Sequence, residues 1–174
     1  MPRVASKVWS PLFLSALTGE ETLSLGGSGS SELKSYEMEL MQMAKEQEKA
    51  IDGLETAEFQ MSMFDSIPYK VQADMLVQSL KSSESGDDQF GRMVQLYKDQ
   101  DLEGMQSMMK SEEEGIGHYE DLLLIQRNKN WIPVMGAMMT TGPTFFAVGA
   151  GHLGGEQGVV ALLRLEGYTV KPIK

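Results

Sequence analysis

The chain has 174 residues, 41% of them hydrophobic and 23% charged, with a formal net charge of −10 and no cysteine. That length and composition describe one globular domain with a real core rather than a disordered segment. The acidic balance and the lack of a basic stripe exclude sequence-independent binding to nucleic-acid phosphates; the missing cysteines exclude disulfides, thiolate zinc sites and cysteine nucleophiles.

Residues 1–23 open with MPRVASKVWSPLFLSALTGEE, where Arg3 and Lys7 precede a short apolar patch in the manner of a signal peptide. Ser10 and Pro11 break the patch, which favours an ordinary helix over residues 8–18. No apolar run approaches the roughly 18 residues that span a bilayer, so no transmembrane segment is expected. SLGGSGSSEL, residues 24–33, has the composition of a flexible linker, and the main domain is expected over residues 34–174.

Residues 32–49 carry a helical pattern, with Leu33, Tyr36, Met38, Leu40, Met41 and Ala44 apolar among Glu, Lys and Gln. AIDGLET reads as a short strand running into a loop. PYKVQADMLVQSLKSS reads as an amphipathic helix with Ser66 as N-cap and Pro68 inside its first turn. SSESGDD marks a loop, and FGRMVQLYKDQ and DLEGMQSMMKS read as two short helices, the second capped by Asp101. A long helix is expected from about His118 to Met139, kinked at Pro133, which removes a hydrogen bond and clashes with the preceding turn.

In the last third, TFFAVGA is a continuous apolar run ended by glycine, as for a strand buried on both faces. EQGVVALLRLE reads as a helix with Gly167 beyond its end, and YTVKPI as a closing strand. Strand, helix and strand in that order predict a parallel, right-handed βαβ unit. The expected fold class is therefore α/β and helix-rich, with a small, mostly parallel sheet and a helical insertion between strands. Fourteen methionines recur at helical spacing; they fit helix faces packed into a core, or a face that docks partners.

GAGHLG at residues 149–154 fits G-x-G-x-x-G, the spacing that cradles a dinucleotide pyrophosphate, with Gly149 and Gly151 as cofactor-binding positions. The reading also needs an acidic residue at the end of the following strand, where the chain has Pro172, Ile173 and Lys174. The same turn holds G-x-x-H. At the end of a buried strand His152 could ligate a metal or act as a base, or simply close a tight turn. Glu55 follows the other predicted strand; it could join His152 as a metal ligand or acid–base partner, or hydrogen-bond to the start of the next helix. Arg127, beside Asn128 and Trp131, could orient a substrate carboxylate, pair with Glu55 or lie on the surface. His118, in GIGH, follows an acidic loop and reads as a solvated residue at a helix start.

Several stretches together resemble the TraB/GumN family, related to the Tiki metalloproteases: SYEMELMQMAKEQEKAIDGLETAEFQMSMFDSIP, LLLIQRNKNWIPVM and PTFFAVGAGHLGGEQGVVALLRLEGYTVKPI, with KVWSPLFLSAL similar to the helix before them. The resemblance implies an α/β domain and, in the protease-like relatives, metal-dependent hydrolysis of peptide bonds. It matches His152 to the second of two G-x-x-H motifs, Glu55 to the acid of GLET and Arg127 to the arginine of the RN pair. It implies His152 and Glu55 as catalytic and metal-binding residues, Arg127 as a further catalytic residue, a divalent metal and a peptide or protein substrate. Family members begin with a strand bearing a first G-x-x-H and a second strand bearing an acid. Both are missing ahead of the matched region, so the expected catalytic set is incomplete and activity weak or absent. The signal-like start points to a bacterial cell envelope or secreted location. The rival readings are a non-catalytic assembly module docking through the Met-rich helical face, as a homo-oligomer or with another partner, and a nucleotide-binding domain.

Overall fold

The structure, a computed structural model, describes residues 35–81, 86–111 and 119–173. The expected helix at residues 8–18, the linker at 24–33 and His118 lie outside the described residues. The chain divides into two compact units, residues 1–81 and 82–174.

The first unit contains helices α1 (Tyr36–Glu46), α2 (Ala57–Asp65) and α3 (Tyr69–Lys81). Ser35 caps α1, its hydroxyl accepting from the Met38 N–H at 3.5 Å. None of the residues of α1 is buried, and Tyr36, Met38, Met41 and Met43 all face solvent. These methionines do not fill a core, whereas Met63 of α2 does. Helix α2 was not anticipated; its signal is Thr56, whose hydroxyl accepts from the Phe59 N–H at 3.1 Å. Ser66 does not cap α3 as expected. It closes α2, and the Pro68 carbonyl receives the first bond of α3 from Gln72. Gln72 is fully buried and donates both amide hydrogens back to the end of α2, to Phe64 O at 2.8 Å and Ile67 O at 2.7 Å. The Phe64 carbonyl, which also accepts from the Ile67 N–H, thereby gains a second bond, and the Ile67 carbonyl beyond the helix gains a partner.

The second unit contains α4 (Gly86–Lys98), α5 (Leu102–Ser111), a π-helical turn (Asp121–Ile125) leading directly into α6 (Gln126–Thr141), a 3-10 turn (Ala150–His152) and α7 (Val159–Leu165). Asp101 caps α5 as expected, its carboxylate accepting from the Gly104 N–H at 2.9 Å. Helix α6 runs on through the exposed Pro133 to Thr141. Met105, Trp131, Ile132, Met135 and Val159 form the buried apolar set. Gly167, at φ +90°, ends α7: its N–H bonds Arg164 O and the Tyr168 N–H bonds Leu163 O, the paired bonds of a Schellman turn.

The same turn ends α1 and α4 without glycine. Glu48 at φ 51° and Gln100 at φ 57° occupy the left-handed position, with paired bonds to Lys45 and Ala44 and to Tyr97 and Leu96. A side chain there costs about 1 kcal/mol. Gln100→Gly is therefore expected to raise stability by about 0.5–1 kcal/mol, read from the urea midpoint, and Glu48→Gly to do the same. A lowered midpoint would contradict the strain.

The expected α/β fold with its parallel sheet is overturned: among the described residues there is no strand. AIDGLET is a loop before α2. Residues 143–149 enter no backbone ladder, and Phe145 is 78% exposed. YTVKPI follows the turn at Gly167 without pairing, and the Val170 carbonyl, which a ladder would use, accepts from Arg164 Nη2 at 2.9 Å. A strand persists only where a neighbour takes up its N–H and C=O groups. None of the three apolar runs has such a neighbour among the described residues, so apolar character alone does not make them strands.

Candidate functional site

The site is built in the second unit around His152. Residues 149–152 turn tightly, with the His152 N–H bonded to Gly149 O at 2.9 Å and the Leu153 N–H to Ala150 O at 3.0 Å. This carries the imidazole inward, where the residue is only 7% exposed. His152 stands well ahead of α7, which opens seven positions later at Val159.

Helix α6 supplies what meets the ring. Residues 127, 128 and 131 fall on one side of a helix, at i, i+1 and i+4. Asn128 Oδ1 lies 2.7 Å from His152 Nδ1, and Arg127 Nη1 lies 3.3 Å from His152 Nε2. A guanidinium can only donate, so Nε2 faces it as an acceptor and the ring proton sits on Nδ1, directed at Asn128. Trp131 packs against the imidazole with ring centroids 4.4 Å apart and a tilt of 41°. The Arg127 guanidinium carbon lies 5.0 Å from the Trp131 ring centre, and Nη1 also donates to Leu123 O at 3.2 Å. Both imidazole nitrogens are therefore addressed by consecutive residues of one helix, and one face is covered by a third.

Asn128 is 2% exposed and joins the cluster to the loop ahead of α7 through its Nδ2, which donates to Gln157 O at 2.8 Å. Gln106 of α5 holds the same loop by donating to Gly154 O at 2.9 Å. The loop needs glycine where it is clamped. At Gly155, φ +79°, a Cβ would collide with the Gln106 side chain; at Gly154 it would lie 3.0 Å from Leu102 O. Gly158 is closed off by the carbonyls of Leu153 and Gly154. Gly149 has an ordinary φ of −58° and room for a Cβ. Of the fingerprint's glycines the packing demands Gly154, while the other two it demands, Gly155 and Gly158, lie beyond the fingerprint. The strand that should lead into such a fingerprint is also absent among the described residues.

Beside the cluster lies a cavity of about 300 Å³. Its walls come from Gln106 of α5, from Glu120, Leu124 and Ile125 ahead of α6, from Asn128, and from the loop of Gly151, Gly155, Glu156 and Gln157. Asn128 thus lines the cavity and orients His152 at once. Sequence reasoning singled out Arg127 and His152, which the structure brings together. It did not assign Asn128 a task or find Gln106; the recoverable signal was Asn128 adjoining Arg127 and three residues before Trp131.

Glu55 belongs to the first unit, half-buried in the loop just before Thr56. A catalytic divalent metal takes about three protein ligands and an open position. Among the described residues no group of three or more His, Asp or Glu side chains converges in that way, and the acceptor nitrogen of His152 is turned toward a cation, Arg127. The donor set around His152 therefore does not fit a catalytic metal in this arrangement.

No helix among the described residues is long and apolar enough to cross a membrane. No curated protein and no solved structure matches the chain. The TraB/PrgY/gumN family model does match, over residues 1–172, nearly the whole sequence and including the GLET, RN and GAGHLG stretches. The chain belongs to the TraB/PrgY/gumN family.

Proposed function

We propose that the chain is a peptide-binding member of this family, in which the cavity beside the His152 cluster receives the peptide and Arg127 on the imidazole keeps peptide turnover weak or absent. The observation that supports this most is the double engagement of Asn128, which lines the cavity while holding the His152 ring. Amide side chains and loop backbone around a cavity of this size suit the alternating donors and acceptors of a peptide. The guanidinium on Nε2 leaves the imidazole in a poor position to take a proton from water, because a base must hold its lone pair toward the proton it removes.

A second reading keeps a divalent metal, with His152 Nε2 as a ligand. One observation favours it: a hydrogen bond from Nδ1–H to an amide oxygen is the contact that orients a metal-ligating histidine. It requires Arg127 to leave Nε2 and further ligands to join.

Calorimetric titration of the full chain separates these readings. An acetylated, amidated and uncharged hexapeptide should bind saturably, bind more weakly to His152→Ala, and stay intact on long incubation with zinc or manganese. One-to-one metal binding that His152→Ala abolishes, together with peptide cleavage, would replace this proposal with the metal-dependent hydrolase. Absence of peptide binding, with self-association by light scattering, would replace it with an assembly module working through the exposed methionines of α1.

A further inference from the structure

The cavity beside Asn128 has a chemical bias that the family resemblance does not specify. Two of its side-chain amides are bound to the fold, Gln106 Nε2 donating to Gly154 O and Asn128 Nδ2 to Gln157 O. Its charged groups are both acceptors, the carboxylates of Glu120 and Glu156, which stand with the Gln106 carbonyl oxygen and the neutral Gln157 amide. Those two carboxylates come from separate elements, one ahead of α6 and one in the glycine loop. Neither makes an ion pair or a side-chain hydrogen bond with any described residue. Among the described residues no lysine or arginine lines the cavity, and Leu124 and Ile125 add an apolar strip to its wall.

Three features thus describe one ligand group: room for a short chain, an apolar strip for methylenes, and acceptors of negative sign for a head with several N–H donors. We propose that this cavity takes an alkylammonium group of the bound peptide, either a lysine side chain or a free amino terminus. An ammonium supplies three donors and a positive charge, and a lysine stem lies along apolar surface while its head reaches polar groups. The chain's net charge of −10 steers cationic peptides toward it. The inference rests on the peptide-binding reading and narrows it to a substrate class.

The test uses the full chain and three hexapeptides of one uncharged sequence: acetylated, acetylated with one internal lysine, and with a free amino terminus. Binding is measured calorimetrically at low and high sodium chloride. At low salt one or both cationic peptides should bind about tenfold more tightly than the acetylated one, and the better of the two identifies the source of the ammonium. The advantage should shrink at high salt and vanish in the Glu120→Gln, Glu156→Gln double variant, to which all three should bind alike. Equal binding of all three to the natural chain overturns this inference and leaves peptide binding standing. A cationic advantage that survives in the double variant, or that salt does not weaken, also overturns it. Failure of every peptide to bind overturns both. The salt series keeps the decision independent of whether the double variant folds.

Discussion

Replacing Trp131 with alanine is expected to cost about 3–5 kcal/mol, the largest single loss in the second unit. Trp131 is buried with Ile132 and Met135 on α6, covers the face of the His152 imidazole and lies under the Arg127 guanidinium. Truncation removes the apolar side chain from the centre of a small core and leaves a void that the flanking helices cannot close without moving. It also strips the ring contact from a buried histidine and the aromatic face from a cation. Urea unfolding followed by far-ultraviolet circular dichroism reads the loss as a lowered midpoint. Trp131→Phe should recover more than half of it. A cost below about 1 kcal/mol for the alanine variant would mean that the indole is not part of the core.

Asn128→Leu is expected to cost about 1–3 kcal/mol although the side chain keeps the same branching and number of heavy atoms. The amide bridges the buried His152 Nδ1–H, at 2.7 Å, and the carbonyl of the exposed Gln157, at 2.8 Å. Leucine leaves the buried imidazole N–H without its partner, at about 1–3 kcal/mol, and frees a carbonyl that water can reach. Asn128→Asp keeps an acceptor for His152 but loses the donor to Gln157, and its effect should be smaller. Nitrogen NMR of the imidazole adds a second readout. The Nδ1–H form should dominate in the natural chain and lose its advantage in the leucine variant. An unchanged tautomer with unchanged stability would show that Asn128 does not hold the ring.

Helices with local signals were legible in the sequence. Asp101 before α5 and Gly167 after α7 act as capping chemistry predicts, because a cap depends on residues within one turn of it. Ser66 misled because serine serves either end of a helix, and Pro68 took the position it was expected to hold. The sheet failed for a non-local reason. The apolar run at residues 144–148 has the composition of a buried strand, but a strand is a relation between two segments, and composition describes only one. Arg164 then takes the Val170 carbonyl that pairing would have used. At the site, the family resemblance identified Arg127 and His152, which meet at 3.3 Å. Helical spacing could have added Asn128 and Trp131 from their positions beside Arg127. Gln106 could not be found this way, since its link to Gly154 spans 48 residues and follows no periodicity.

The π-helical turn ahead of α6 bears on how the gene can change. Its signature is the Gln126 N–H reaching back to Asp121 O, one residue farther than an α-helix allows. Such a turn holds one residue more than the uniform ladder needs, so losing a single codon between positions 121 and 125 would restore an unbroken helix. Helical content and most of the core would survive that deletion. Everything upstream would rotate by about 100° relative to Arg127 and Asn128, carrying Glu120 away from the wall it shares with Asn128. A one-codon deletion here should therefore separate foldability from site assembly more cleanly than any substitution, leaving a well-folded chain that no longer gathers its cavity.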